Sequence, residues 1–255
     1  MKVTLIQQDV VWAQPKENMI RAARAIASDP GSDLYVLPEM WNTGFATKPT
    51  AIADSENGEA LQWMKQKAAE TGAAIVGSVA TRLGDGTYRN RCYFVKPSGE
   101  TEYYDKHHLF TYGGENVHYT AGQKRKVVEW KGVRFLLLVC YDLRFPIWSR
   151  NHDDYDAIIY VGSWPTKRHL AWRTLVRARA IENQCYVLAA NRVGNDPQSN
   201  YTGGTTFVDP YGRDMECPDH TETVLTGTID MDFLMRYQKK FPLLRERDES
   251  LIIRI

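Results

Sequence analysis

Three residues in this chain stand where a strand-like run gives way to a turn, and each is of a type that can do chemistry. Cys140 closes the apolar run FLLLV and precedes YDLRFP. A thiol there can protrude while backbone N–H groups of the turn stay free to stabilise an oxyanion. Taken alone, the position fits an inert core thiol better, because free cysteine is among the most buried residue types. A thiol of ordinary pKa, about 8.5, also needs help to act as a nucleophile near neutrality. The six histidines (His107, His108, His118, His152, His169 and His220) offer little of it. None lies in a pattern that marks a cysteine-protease base, and each reads as a surface or loop residue. A carboxylate can serve instead. Glu39 follows DLYVLP and precedes Met40 and Trp41, so it is expected to be partly desolvated and suited to shuttling protons. A helix cap or a surface loop acid fits that position equally well. Lys106 follows EYYD and could hold an ammonium over a developing oxyanion, although an isolated lysine is normally just solvated.

The elements that would position these residues alternate along the whole chain. Residues 2–9 and 33–37 read as strands. Residues 15–28 read as a helix with Pro15 in its first turn, ended by Asp29–Pro30–Gly31, and 58–71 as an amphipathic helix closed by Gly72. The stretch 73–81 is apolar with little alternation, as in a strand buried on both faces. Hairpins are expected at 88–96 with 101–105 and at 126–130 with 133–139, turning at Pro97–Ser98–Gly99 and Lys131–Gly132. A short helix is expected after Pro146, then a strand at 156–161, a helix at 169–183 and a strand at 185–191. Strands 203–209 and 222–230 should flank the turn at Asp209–Gly212, and the tail from Met231 reads as amphipathic, then irregular. Alternating strands and helices with several hairpins predict an α/β fold with mixed sheets and one domain over 1–255. No GxGxxG or GxxxxGK[ST] pattern supports nucleotide binding.

Composition removes other functions. The 255 residues are 43% hydrophobic and 25% charged, enough to bury a core without metals or disulfides. A net charge of +1 gives no field for nucleic acid or an anionic membrane, and Lys124–Arg125–Lys126 reads as a solvated turn. No apolar run approaches a membrane span of about 18 residues, and no secretion signal is visible, so the expected setting is the cytoplasm. The four cysteines form no CxxC pair, which argues against zinc; Cys92 and Cys185 read as strand core, and Cys217 as an exposed loop residue.

Read together, Glu39 in VLPEMWNTGF, Lys106 in YYDKHHLF and Cys140 in LLLVCYDLRFP resemble the nitrilase superfamily of C–N hydrolases, whose catalytic set is Glu, Lys and Cys on three strand ends. The opening strand ending in Gln7–Gln8, the segment RARAIENQCYVLAANRVG and the hairpin GGTTFVDPYG fit as well, so the resemblance covers nearly the whole chain. The motifs look closest to the omega-amidase branch, which hydrolyses 2-oxoglutaramate and 2-oxosuccinamate. The resemblance implies a four-layer α-β-β-α sandwich with two mixed β-sheets, assembly into homodimers or larger homo-oligomers, and no metal or organic cofactor. It assigns Cys140 as nucleophile, Glu39 as the proton shuttle, and Lys106 with the Tyr141 backbone N–H as oxyanion donors. Glu115, in YGGENVHYTAG, matches a second family glutamate that orients Lys106. Arg144, four residues past Cys140, could pair bidentately with a substrate carboxylate, or form a structural ion pair with Asp142. Trp164 is expected to line the pocket or to serve packing. Arg173, Arg177, Arg179 and Glu182 read as an ion-pair lattice along one helix. The same triad would serve nitrile, carbamoyl or formamide hydrolysis, and a non-catalytic binding protein on the same fold is the more distant alternative.

Overall fold

A computed structural model describes residues 1–248. The first sheet is built by β1 (Lys2–Gln7), β2 (Leu34–Val36), β3 (Asp54–Ser55), β4 (Ala74–Arg82), β5 (Tyr88–Val95) and β6 (Thr101–Asp105). The second begins with β7 (Val127–Trp130), β8 (Val133–Val139), β9 (Ala157–Gly162) and β10 (Tyr186–Asn191). A ribbon of β11 (Val193–Asn195) and β12 (Asn200–Thr202) follows. Strands β13 (Thr206–Val208) and β14 (Asp214–Glu216) complete the second sheet, and β15 (Thr223–Thr228) returns to the first. The strand orders are β15-β1-β2-β4-β5-β6, with β3 on β4, and β14-β13-β10-β9-β8-β7. Both sheets are mixed: β1–β2–β4 and β8–β9–β10 run parallel, and the hairpins run antiparallel.

Side-chain alternation along the strands makes the layers. Val3, Leu5, Leu34, Val36, Ala74, Val76, Cys92 and Phe94 of the first sheet share one core with the second sheet. The residues between them, Ile6, Tyr35, Leu37, Ile75, Tyr93 and Val95, face the helices α1 (Pro15–Ser28) and α2 (Glu59–Thr71) instead. On the far side, α4 (His169–Asn183), which follows the one-turn α3 (Glu115–His118), packs Trp172, Val176 and Ala180 against the second sheet. The result is the four-layer α-β-β-α sandwich expected from the sequence.

Local chemistry explains the boundaries. Pro15 opens α1, and Gly72, at φ +66°, closes α2. Lys131 and Gly132 both take positive φ, the twist that a two-residue hairpin turn between β7 and β8 requires. Three expectations are corrected. The short helix lies before Pro146, as a 3₁₀ turn over Cys140–Arg144, because the buried carboxylate of Asp142 accepts from the Val139 N–H at 3.0 Å and closes the chain early. The turn at Asp209–Gly212 joins β13 to β14, while the strand near 222–230 pairs with β1 in the other sheet. Cys217 is buried rather than exposed; burial, then the charge of Glu216, pushes its thiol up to about 12. The amphipathic tail is α5 (Met231–Lys240) with a 3₁₀ turn at Leu243–Glu246, and the rest of the expected irregular tail lies partly outside the described residues.

Candidate active site

Cys140 is the first residue after β8, whose last residue, Val139, pairs with Val161 of β9. Its φ is +44°, a left-handed conformation that costs a non-glycine residue roughly 1–3 kcal/mol. Cys140 thus sits at the rim of the inter-sheet core and also lines a cavity. The turn itself is braced by Asp142. Its carboxylate accepts from the Val139 N–H (3.0 Å), the Tyr104 hydroxyl (2.9 Å), the His108 N–H (2.9 Å) and His108 Nδ1 (2.8 Å). Tyr104 lies on β6 and His108 just past it, so Asp142 ties the Cys140 turn to the segment that carries Lys106. His107 and His108 do point different ways: His107 stacks on Trp148 and His108 on Phe145.

Lys106 follows β6, and its N–H continues the ladder by donating to the Asn90 carbonyl on β5. The ammonium is fully buried between two carboxylates, 2.9 Å from Glu39 Oε1 and 2.9 Å from Glu115 Oε2. Burial alone would lower the pKa of Lys106, but the charges of Glu115 and Glu39 outweigh it and hold the amine protonated. Asn90 Nδ2 donates to both glutamates, at 2.8 Å to Glu39 Oε1 and 3.0 Å to Glu115 Oε1. Glu115 Oε2 also accepts from the Phe110 N–H at 2.6 Å. Burial raises the Glu115 pKa against the pull of Lys106.

Glu39 enters from the loop after β2, which crosses over β4. A Cβ on Gly77 would meet the Trp41 ring at 2.8 Å and Leu37 Cβ at 2.9 Å, so the crossing depends on that glycine. The loop is then stitched to the second sheet. The Glu39 N–H donates to the Gly162 carbonyl (3.3 Å), the Ser163 N–H donates to Glu39 Oε2 (2.9 Å), and the Ser163 hydroxyl donates to the Glu39 carbonyl (3.1 Å). Both carboxylate oxygens therefore have fixed donors. The Cys140 thiol responds to the same groups. Burial, then the Glu39 carboxylate, pushes its pKa well above the ordinary range, with the Lys106 ammonium pulling the other way. It is a neutral thiol beside a fixed carboxylate and a fixed cation.

Glu39, Lys106, Cys140, Tyr141, Arg144 and Trp164 line one cavity. The sequence expectations thus converge in space, and Glu115 sits directly behind Lys106. Tyr141 is the second residue of the 3₁₀ turn, whose first N–H groups have no partner inside the turn. Arg144 is exposed and makes no ion pair with Asp142 or any other carboxylate among the described residues; its guanidinium lies 5.0 Å from the centre of the Trp164 ring. The helix arginines pair mostly outward, Arg173 to Glu216 and Arg177 to Asp214 on β14, and only Arg179–Glu182 stays within α4.

Four residues were missed in the sequence. Asn90 sits in the strand YRNRCYFV, where a residue type disfavoured in strands was the available signal. Ser163 and Arg168 follow β9 without a local pattern, and from the sequence Asp142 reads only as a partner for Arg144.

Such a constellation on an α-β-β-α sandwich defines a class. Residues 2–239 match the carbon-nitrogen hydrolase family, and the chain belongs to it. An omega-amidase of Escherichia coli K12, YafV, is 43% identical over 251 residues, covering 98% of this chain and 97% of that one. A 2-oxoglutaramate amidase of Bacillus subtilis is 33% identical, with 98% of each covered. Among solved structures, a CN-hydrolase superfamily protein of Xanthomonas campestris with an arsenic adduct in its active site superimposes with a TM-score of 0.94 at 38% identity, over 98% of this chain and 97% of that one.

Proposed function

We propose that this chain is a single-domain omega-amidase that cleaves the terminal amide of a small 2-oxo dicarboxylic acid monoamide, such as 2-oxoglutaramate or 2-oxosuccinamate, through a thioester on Cys140. The observation that carries the reading is the buried Glu39–Lys106–Glu115 cluster opening onto Cys140 in a cavity that also presents the unpaired Arg144. Glu39 takes the thiol proton as Sγ attacks the amide carbon. The raised pKa of Cys140 couples the two events, since a free thiolate is not populated near neutrality. The tetrahedral oxyanion is held by Lys106 and the Tyr141 N–H; removing one such donor costs on the order of 10²–10³ in rate. Collapse breaks the C–N bond, and Glu39 hands its proton to the departing ammonia. Water then loses a proton to Glu39, attacks the thioester and releases the acid, and the proton returns to sulfur. One amide and one water become one carboxylate and one ammonium.

Arg144 pairs with the far carboxylate of the substrate, its plane supported by Trp164. The names of the two amidase relatives support the same substrate. Among the described residues no helix is long and apolar enough to cross a membrane, and the reading places the enzyme in the cytoplasm. Exposed Leu170 (81%) and Ile181 (47%) on the outer face of α4 support assembly into a homodimer or larger homo-oligomer, which light scattering would reveal. The substrate is tested by ammonia release from 2-oxoglutaramate, a neutral aliphatic amide, a nitrile and an N-carbamoyl compound. Arg144→Gln should raise KM for 2-oxoglutaramate by about 10–100-fold. Turnover of the nitrile or carbamoyl compound alone would sink the substrate and spare the fold.

A further inference from the structure

Besides Lys106 and Arg144, the cavity is lined by a third cation, which the mechanism does not use. Arg168 lines the same cavity as Cys140 and Arg144. Its guanidinium lies 5.0 Å from the centre of the Phe110 ring, as that of Arg144 does from Trp164. Trp164 connects the two: its ring lies under Arg144, and its indole N–H donates to the Arg168 carbonyl at 2.8 Å. Among the described residues neither arginine has a carboxylate within ion-pair distance. The one carboxylate lining the cavity, Glu39, is committed to Lys106, Asn90 and Ser163.

We propose that Arg168 is a specificity-determining residue that, with Arg144, makes the distal end of the pocket a two-cation site for a purely anionic group and rejects amides bearing an ammonium there. This rests on the reading of the substrate as an omega-amide. The charges show why two arginines differ from one. Glu39, Glu115 and Lys106 together carry about one negative charge, so the two guanidiniums leave the site with a net charge of about +1. A single carboxylate, alone or beside a 2-oxo oxygen, neutralises that surplus, and both oxygen groups accept N–H donors. A 2-amino acid amide such as glutamine brings its carboxylate with an ammonium one carbon away, and that added cation must sit beside the two guanidiniums. Like charges a few ångströms apart in a partly desolvated site cost enough to shift selectivity by about 10–100-fold.

The test compares wild type, Arg168→Gln and Arg168→Lys on three five-carbon amides: the monoamide of pentanedioic acid, uncharged pentanamide, and glutamine. The readout is the ratio of kcat/KM values, with thermal melting as a check on folding. In R168Q the preference for the anionic amide over pentanamide should fall by about 10–100-fold, chiefly through KM, and the preference over glutamine should fall too. R168K should restore part of both ratios, and if R168Q melts below the assay temperature, the shorter, unforked ammonium of R168K should still lower them relative to wild type. Equal losses on all three amides would mean that Arg168 merely props Phe110, and an unchanged set of ratios would mean that it does nothing; either overturns the inference alone. A wild type with no preference for the anionic amide overturns the substrate reading along with it.

Discussion

Asp142 offers the sharpest test of how the site is held together. Its buried carboxylate is the acceptor for four hydrogen bonds, two on each oxygen. Oδ2 takes the Val139 N–H and the Tyr104 hydroxyl, both buried. The Tyr104 proton has nowhere else to point, because its oxygen already accepts from the His107 N–H (3.1 Å) and Trp148 Nε1 (3.0 Å). Asp142→Ala therefore strands two fully buried donors and two partly buried ones. At roughly 1–3 kcal/mol for each buried orphan and less for the others, the loss should be about 4–6 kcal/mol. That is a large share of a typical total of about 5–15 kcal/mol. Asp142→Asn is milder for a geometric reason. The new amide NH₂ can face His108, whose ring can present an acceptor in its other tautomer, so only the His108 N–H loses its partner. About 1.5–3 kcal/mol should be lost. Urea unfolding followed by circular dichroism measures both, from midpoints at constant slope. Activity should fall with stability, since Asp142 joins the Cys140 turn to the Lys106 segment. Equal and small losses, under about 1 kcal/mol in both variants, would refute the reasoning.

The remaining expectations concern charge around the thiol. Because burial and Glu39 hold the Cys140 pKa up, alkylation of Cys140 by iodoacetamide should keep rising beyond pH 9 instead of levelling near pH 7. Glu39→Gln removes one cause of that shift, so it should alkylate faster than wild type at pH 8 while losing turnover; intact mass spectrometry and an ammonia assay read the two opposite effects. The raised pKa also fixes the sign of its contribution to stability: that contribution is present in full below the unfolded value of about 8.5 and lost as pH rises through the folded one. Asn90→Ala removes the donor shared by Glu39 and Glu115 and should cost about 2–4 kcal/mol in urea. Asn90→Asp places a third carboxylate beside those two and should be worse; a variant as stable as wild type would argue that the network is not what it looks like.

What could be read from the sequence was whatever depends on local pattern. Cys140 and Glu39 each follow a strand run rich in apolar residues, and Lys106 follows EYYD, so their places at strand ends were visible from local pattern alone. The Lys131–Gly132 turn was visible because only certain residues accept positive φ. What depends on distant partners was not. The turn at Asp209–Gly212 was recognised, but which strand it served was decided by β1 competing for β15 across the molecule. Asn90 gains its meaning only when β5 pairs with β6 and the Glu39 loop crosses β4 beside them. Asp142 looked like a neighbour for Arg144, yet its side chain turns inward to Tyr104 and leaves Arg144 free for the cavity. Arg168 lay unnoticed in TKRHLAW because nothing in that string says that it faces Phe110.

The central claim is a covalent acyl group on Cys140, and rapid quenching tests it most directly. Wild-type enzyme mixed with excess 2-oxoglutaramate, quenched in acid within milliseconds and digested, should yield a Cys140 peptide heavier by the substrate less ammonia. Hydroxylamine should remove that mass, and Cys140→Ala should show neither the adduct nor turnover. Ammonia release at an undiminished rate from Cys140→Ala, or an adduct on any other residue, would contradict the account.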